Sequence, residues 1–203
     1  MHLAARLGFL TVTACLLANS AIAETGPTMR IRGTIDTLDG QAMTVTSREG
    51  TKLPITLAES FSVLAVKALD PSAIQPGSYV GAASEIAADG ELQALEILVF
   101  PEAARGTAEG HRDWDLKPGS TMTNATVAAA SQRGSGRDVE LAYPDGSKKV
   151  HVPTGVPIVT LVPAERADLK LGAPVFLTAS KNAEGGLSAT RVIVGKDGVA
   201  PPM

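Results

Sequence analysis

Short stretches of alternating apolar and polar residues, separated by turn sequences, run through most of the chain. In residues 29–37 the apolar side chains of Met29, Ile31 and Ile35 fall on one face, as in a half-buried β-strand. Asp-Gly pairs, which favour tight hairpin turns, interrupt the stretches at 39–40, 89–90 and 145–146. The pattern predicts an all-β protein built from short strands.

The second half of the chain repeats the first at an offset of 95 residues. Gly77 corresponds to Gly172, Gly90 to Gly185, and the apolar residues 97–99 to residues 192–194. At the front of each copy the offset differs, because the first hairpin of the second copy is longer around residues 134–136. The repeat predicts two copies of one small fold, at residues 29–101 and 121–196.

Each copy holds five or six predicted strands, and their number and spacing are typical of a small closed barrel. An open sandwich of the same size is the alternative. A barrel is favoured, because so small a unit cannot easily protect free sheet edges. A domain of this size is only marginally stable alone, so we expect two tandem barrels packed against each other.

Residues 102–120 form a long connector that has no counterpart in the repeat and contains Trp114, the only tryptophan of the chain. Loops beyond ~12–15 residues are usually functional or disordered. One interpretation is that Trp114 and Leu116 anchor the connector across the groove between the barrels. The second is a binding site in which Trp114 supplies apolar contact. Its polar groups would come from His111, Asp113 and Asp115. In the third interpretation the connector is simply flexible.

Metal binding is a further hypothesis for the same segment. Side chains that can ligate Zn²⁺ or Cu²⁺ alternate there, so an extended backbone would place them on one side. They are Glu109, His111, Asp113 and Asp115. No second histidine lies nearby in the sequence, and no cofactor is predicted for the protein.

The N-terminus is typical of an export signal. Arg6 precedes an apolar run from Leu7 to Leu17, and the small-residue site Ala21-Ile22-Ala23 follows. The run is too short for a membrane span, which needs ~20 residues. We therefore predict a signal peptide at residues 1–23 and a periplasmic or secreted protein. A lipid anchor on Cys15, the only cysteine of the chain, is the minor alternative.

Composition and motifs narrow the function further. The net charge of −3 and the scarcity of aromatic residues argue against nucleic-acid binding, which needs a basic surface and stacking rings. The sequence has no nucleophile elbow, zinc-protease helix, phosphate loop or Cys-x-x-Cys motif. We therefore expect no enzymatic activity, and no transmembrane segment after signal removal.

Two stretches of the second copy carry a family resemblance, namely residues 167–177 (ADLKLGAPVFL) and 184–192 (EGGLSATRV). Their counterparts in the first copy are residues 73–80 and 89–97. The chain resembles a family of bacterial exported domains of unknown function, and this resemblance implies small OB-like barrels that often occur as repeats. It implies a fold and no catalytic residues.

Together these observations predict a non-enzymatic exported protein of two OB-like barrels, with a short tail at residues 197–203. We expect it to serve as a binding or adaptor module for an envelope protein or a small ligand. A metal-binding accessory protein that uses the connector is the alternative.

Overall fold

The computed structural model describes residues 27–182 and 184–201. This part of the chain is almost entirely strands and turns, with 3-10 turns at Pro71–Ala73, Glu102–Ala104 and Arg166–Asp168. The strands are β1 (Thr28–Asp39), β2 (Ala42–Ser47), β3 (Lys52–Ala68), β4 (Tyr79–Ile86), β5 (Leu92–Val99), β6 (Gly110–Asp113), β7 (Thr121–Arg133), β8 (Gly136–Tyr143), β9 (Gly146–Val152), β10 (Ile158–Ala164), β11 (Pro174–Lys181) and β12 (Leu187–Val194). The predicted all-β class is confirmed.

Five strands close a barrel, here called barrel 1, in the order β1-β2-β3-β12-β11 and back to β1. All neighbours in this circuit are antiparallel except β3 and β12, which are parallel. The alternation seen in the sequence explains the packing of β1. Ile31 and Ile35 are buried in the barrel interior, whereas Arg30 and Arg32 lie on the outer face.

A second closed circuit of pairings, here called barrel 2, joins β7, β8, β9, β5 and β4 and returns to β7. Its single parallel contact, between β5 and β9, corresponds to the contact between β12 and β3 in barrel 1. β10 lies between the circuits, antiparallel to β3 and parallel to β5.

The predicted units 29–101 and 121–196 do not each close on themselves. Barrel 1 takes β1–β3 from the first unit and β11–β12 from the second, and barrel 2 takes β4–β5 from the first and β7–β9 from the second. The physical reason lies in β3, which continues without a turn from Lys52 to Ala68 and carries the chain away from barrel 1 before β4 begins. The two halves therefore exchange their last strand pairs.

The element bounds follow the sequence repeat. β11 begins and ends 95 residues after β4, and β12 does the same relative to β5. Val66 of β3 pairs with Leu161 of β10, which lies 95 residues later. The pairing of β3 with β10 therefore joins two positions that are equivalent in the sequence repeat.

Three clusters of buried apolar side chains correspond to this arrangement. One fills barrel 1 and one fills barrel 2. The third lies between the outer faces of the barrels and includes Val66, Leu98, Val159, Phe176 and Ile193. Apolar burial thus joins the two circuits of strands.

Two predictions concern residues at the chain ends. The signal peptide at 1–23, with Cys15, lies outside the described residues. Part of the tail is described, and it folds back on the protein. Val199 packs against the cluster between the barrels, and its amide bonds the Lys196 carbonyl.

Candidate functional site

The connector is folded against barrel 2 along most of its length. β6 pairs antiparallel with residues 121–124 of β7. Ahead of β6, the Thr107 carbonyl accepts hydrogen bonds from the Tyr79 hydroxyl and from Nδ2 of Asn124, and Arg105 donates to the Gly77 carbonyl. The connector therefore adds a short strand and a covering loop to the outer face of barrel 2.

Trp114 links this segment to barrel 1. The centroid of its ring lies 3.9 Å from Cζ of Arg30 and 5.5 Å from Cζ of Arg112, within the range of cation–π contacts. Asp115 accepts a 2.8 Å hydrogen bond from Arg32 and forms a 3.4 Å ion pair with Arg30. Burial acts to raise the pKa of Asp115, but its contacts with Arg32 and Arg30 outweigh this and lower it. Trp114 and Asp115 thus bind the connector to the outer face of β1.

The predicted ligand set of the connector is spread over different surroundings. Nδ1 of His111 lies 2.8 Å from Oγ1 of Thr123, and burial followed by the nearby Lys148 cation lowers the pKa of the ring. Glu109 and Asp113 are exposed, whereas Asp115 is bound to the arginines of β1. Within residues 27–182 and 184–201, no three His, Cys, Asp or Glu side chains form a group that could hold a metal ion.

A groove of about 410 Å³ opens beside the connector, between the outer faces of the two barrels. Its apolar lining comes from both circuits and from β10: Leu98, Phe100, Leu161, Phe176 and Ile193. Its polar lining comes from strands and connector: Thr107, Arg112, Asn124, Thr178, Thr190 and Arg191. The volume falls within the ~300–1,000 Å³ that is typical of small-molecule sites.

The groove is positively charged. Arg112 and Arg191 line it, and its described lining includes no Asp or Glu. Nη1 of Arg112 donates to the Ala108 carbonyl and Nε of Arg191 lies 3.4 Å from Ser62 Oγ, so neither guanidinium is neutralised by these contacts. Burial and the neighbouring Arg30 cation lower the pKa of Arg112. An anion in the groove would offset this cost.

Asn124 adds an acceptor to the same wall. The residue is 4% exposed, and its Oδ1 has no hydrogen-bond partner among the described residues, although its Nδ2 is bound. A Cβ at Gly81 would lie only 2.8 Å from this oxygen, so the glycine makes room for the amide. A buried acceptor without a donor costs ~1–3 kcal/mol. Oδ1 is therefore a buried, unpaired acceptor behind this wall of the groove.

The two sides of the groove differ at positions that are equivalent in the sequence repeat. Leu98 and Ile193, which occupy equivalent positions in the repeat, both line it. On the opposing walls the equivalents differ, because Phe176 of barrel 1 corresponds to Gly81 of barrel 2. The connector loop covers the barrel 2 wall and leaves the barrel 1 wall open.

A separate charged cluster lies on β8 and β9 of barrel 2. Asp138 accepts hydrogen bonds from Nδ1 of His151 and Nζ of Lys149, each at 2.9 Å, and lies 3.4 Å from Arg133. Burial acts to raise the pKa of Asp138, but the Lys149 and His151 hydrogen bonds outweigh this and lower it to about 2. These three side chains already occupy the carboxylate of Asp138, so the cluster is a cross-strand ion network rather than a vacant site.

Sequence reasoning directed attention to His111, Asp113, Trp114 and Asp115, and of these Trp114 and Asp115 contact the same arginines. It missed the groove residues Arg112, Asn124 and Arg191. The sequence did contain one signal for Arg191. It lies 95 residues after Glu96, so the two copies of the repeat carry opposite charges at this position although the neighbouring residues match.

The fold and the groove define an all-β protein that contains a closed five-stranded barrel and a cationic cleft beside it. Comparisons with protein-family models, curated proteins and solved structures give no match. No helix among residues 27–182 and 184–201 is long and apolar enough to cross a membrane.

Proposed function

We propose that the protein is a non-enzymatic binding protein and that the groove between its two barrels is the ligand site. The ligand class is an amphiphilic anion, with an apolar body and one anionic group. The observation that carries this proposal is the lining of the groove, which joins an apolar floor to two arginines and no acidic residue.

The architecture proposed is a pair of OB-like barrels that have exchanged strands. If the strands of barrel 1 are renumbered along its circuit, with β11 and β12 as the fourth and fifth, the order is 1-2-3-5-4-1, as in an OB barrel. Barrel 2 follows the same order, with β4 and β5 as the fourth and fifth. Two tandem copies of one ancestral unit account for this and for the 95-residue repeat.

The groove chemistry suits an amphiphilic anion on two counts. Leu98, Leu161 and Phe176 offer apolar surface, whose burial contributes ~25 cal/mol per Å². Arg112 and Arg191 offer charge-assisted hydrogen bonds to a carboxylate, sulfonate or phosphate.

The same lining favours binding over catalysis. Its described residues supply guanidinium, amide and hydroxyl groups but no carboxylate, imidazole or thiol, the usual general bases and nucleophiles. Export remains part of the proposal through the signal-like residues 1–23. An exported binding protein would meet amphiphiles in the cell envelope.

Calorimetric titration with three probes tests the proposal: decanoate, decyltrimethylammonium and decyl maltoside, all below their micellar concentrations. We expect decanoate to bind and the cationic probe to bind at least tenfold more weakly. Arg112→Gln should weaken decanoate binding about tenfold, because a hydrogen bond to a charged group contributes ~1.5–3 kcal/mol. Thr178→Trp should abolish binding by filling the groove.

Arg48→Gln is the matched control, because it removes an exposed arginine that does not line the groove. It should leave decanoate binding unchanged. Undiminished binding to Thr178→Trp would show that the groove is not the site. Equal binding of all three probes would keep the groove as an apolar site but remove the anionic ligand class.

A further inference from the structure

No described strand covers the edge of β1 at the position where β7 carries the connector strand β6. Residues 29–32 of β1 lie opposite residues 176–179 of β11, and residues 121–124 of β7 lie opposite residues 81–84 of β4, 95 positions earlier. The two segments are therefore equivalent in the repeat. β6 pairs with the segment on β7, whereas β2 pairs with β1 only from Gly33 onward.

The hydrogen bonds at the ends of this segment show which groups face the open side. The Pro27 carbonyl and the Ile35 amide both bond to the β11 side, so odd-numbered residues of β1 direct their backbone groups there. The Arg32 carbonyl bonds instead to the Arg48 amide on the opposite side. The N–H and C=O groups of Thr28 and Arg30 therefore point toward the open edge, and no described strand pairs with them there.

A slot of about 300 Å³ runs along this edge. Its walls are residues 29–32, the turn at residues 47–51 with Leu53, and Asp115 with Leu116 of the connector. Met29, at 42% exposure, is one of the few large apolar side chains that the described structure leaves in solvent. The slot thus offers both unpaired backbone groups and uncovered apolar surface.

We propose that this edge binds an extended segment of a partner protein as an additional antiparallel strand, as β6 binds β7. Such strand addition obtains affinity from main-chain hydrogen bonds and specificity from alternate side chains. A partner residue directly opposite Arg30 places its side chain on the outer face, where the slot lining holds Arg30, Arg32 and Arg48 against Glu49 and Asp115. The remaining positive charge favours an acidic residue there. Residues opposite Met29 and Ile31 point to the other face, where apolar residues are favoured. We therefore expect the partner segment to have an apolar, an acidic and an apolar residue in succession.

An NMR titration of the ¹⁵N-labelled full chain tests this with the capped tetrapeptide Val-Glu-Val-Thr, aligned opposite residues 31 to 28. We expect the amide signals of Thr28 and Arg30 to shift. Methylating the glutamate nitrogen should weaken binding about tenfold, because this N–H would donate to the Arg30 carbonyl. Methylating the nitrogen of the first valine is the matched control, with less than a twofold effect, because that N–H points away from the edge. Val-Lys-Val-Thr should bind more weakly than the parent peptide.

A pair of variants provides a second test. Thr28→Pro removes one donor from the open edge, and proline is tolerated at the first residue of a strand. It should weaken peptide binding several-fold, whereas Thr28→Ala should not. Equal affinity of the two N-methylated peptides, or no shift at Thr28 and Arg30, would overturn the proposal. A dimer of this chain in sedimentation that Thr28→Pro dissociates would also overturn it, because the occupant would then be a second copy.

Discussion

The two barrels are equivalent in the repeat yet differ in what lies on their outer faces. Barrel 2 has β6 along the edge of β7, the connector loop over Tyr79, and the ion network around Asp138. Barrel 1 has an edge at β1 that no described strand covers and, opposite the connector, the exposed wall of the groove. Both candidate sites thus lie beside surfaces of barrel 1 whose counterparts on barrel 2 are covered by β6 or by the connector loop.

This contrast indicates which surfaces are available for binding. The shared strands supply two interiors and the apolar layer between them, and these positions are explained by stability. The connector breaks the symmetry, because it covers one of two equivalent surfaces and leaves the other accessible. The exposed copy of each surface is the one available to a ligand or a partner.

Separating the two halves of the chain should reduce stability more than any single substitution. Residues 27–101 alone should form no folded monomer, because β1–β3 would lack β11 and β12, and β4–β5 would lack β7–β9. The interior of barrel 1 includes Leu177 and Val192 from the other half, and without them it loses buried apolar surface. Circular dichroism and sedimentation of the purified fragment measure this.

Mixing the fragment with residues 102–203 is the control, and it should restore a cooperative melting transition. A dimer of the fragment with exchanged strands would agree with the prediction, since each barrel would then draw on two chains. A compact monomer that melts cooperatively would contradict it and would mean that residues 27–101 close a barrel by themselves.

The strands and the repeat were predictable from the sequence, and the exchange was not. Alternation at Ile31 and Ile35 and the Asp-Gly turns mark strands whatever their partners are. The run from Phe61 to Asp70 lacks a decisive period and suits a helix or a strand, yet there β3 continues to Ala68. The same alternation of buried and exposed positions fits a barrel closed within one unit and a barrel closed by strands from both units. Periodicity alone therefore does not distinguish the two topologies.

The candidate site was only partly predictable, for a related reason. The connector stood out because it is unique to one copy, and Trp114 does contact both β1 and β6 residues. Arg112 and Asn124 stand out only in three dimensions: among the described residues, the groove that Arg112 lines has no acidic side chain, and the buried amide oxygen of Asn124 has no donor. Neither property leaves a local mark in the sequence.

A second, smaller effect is expected from Trp114→Ala, which removes the link between the connector and barrel 1. The variant should lower the free energy of unfolding by about 2 kcal/mol, the value for half-burying an aromatic ring and stacking it on an arginine. Trp114→Phe keeps a ring beside Arg30 and Arg112 and should cost less than half as much. Urea denaturation measures both, and a Trp114→Ala curve that superimposes on the wild type would show that the connector is held without the tryptophan.

The smallest effect concerns the ion network that barrel 2 alone possesses. The ladder pair Asp138–His151 of barrel 2 corresponds to Ala42–Thr56 in barrel 1, so barrel 1 has no such network at this position. Asp138→Asn should lower the free energy of unfolding at pH 7 by about 1 kcal/mol, since the Lys149 and Arg133 partners are partly exposed and solvent screens them.

The pH dependence of this variant shows whether the charge of Asp138 causes the stabilisation. The folded-state pKa of Asp138, about 2, lies below the unfolded value of ~3.9, so its stabilisation is complete above about pH 5 and is lost as the pH falls through 4 toward 2. The difference between wild type and Asp138→Asn should therefore shrink over that window. Asp36→Asn, which breaks an exposed ion pair with Lys52 in barrel 1, is the control and should cost less than 0.5 kcal/mol. A difference between wild type and Asp138→Asn that stays constant from pH 7 to pH 2 would mean that the side chain stabilises barrel 2 by packing rather than by its charge.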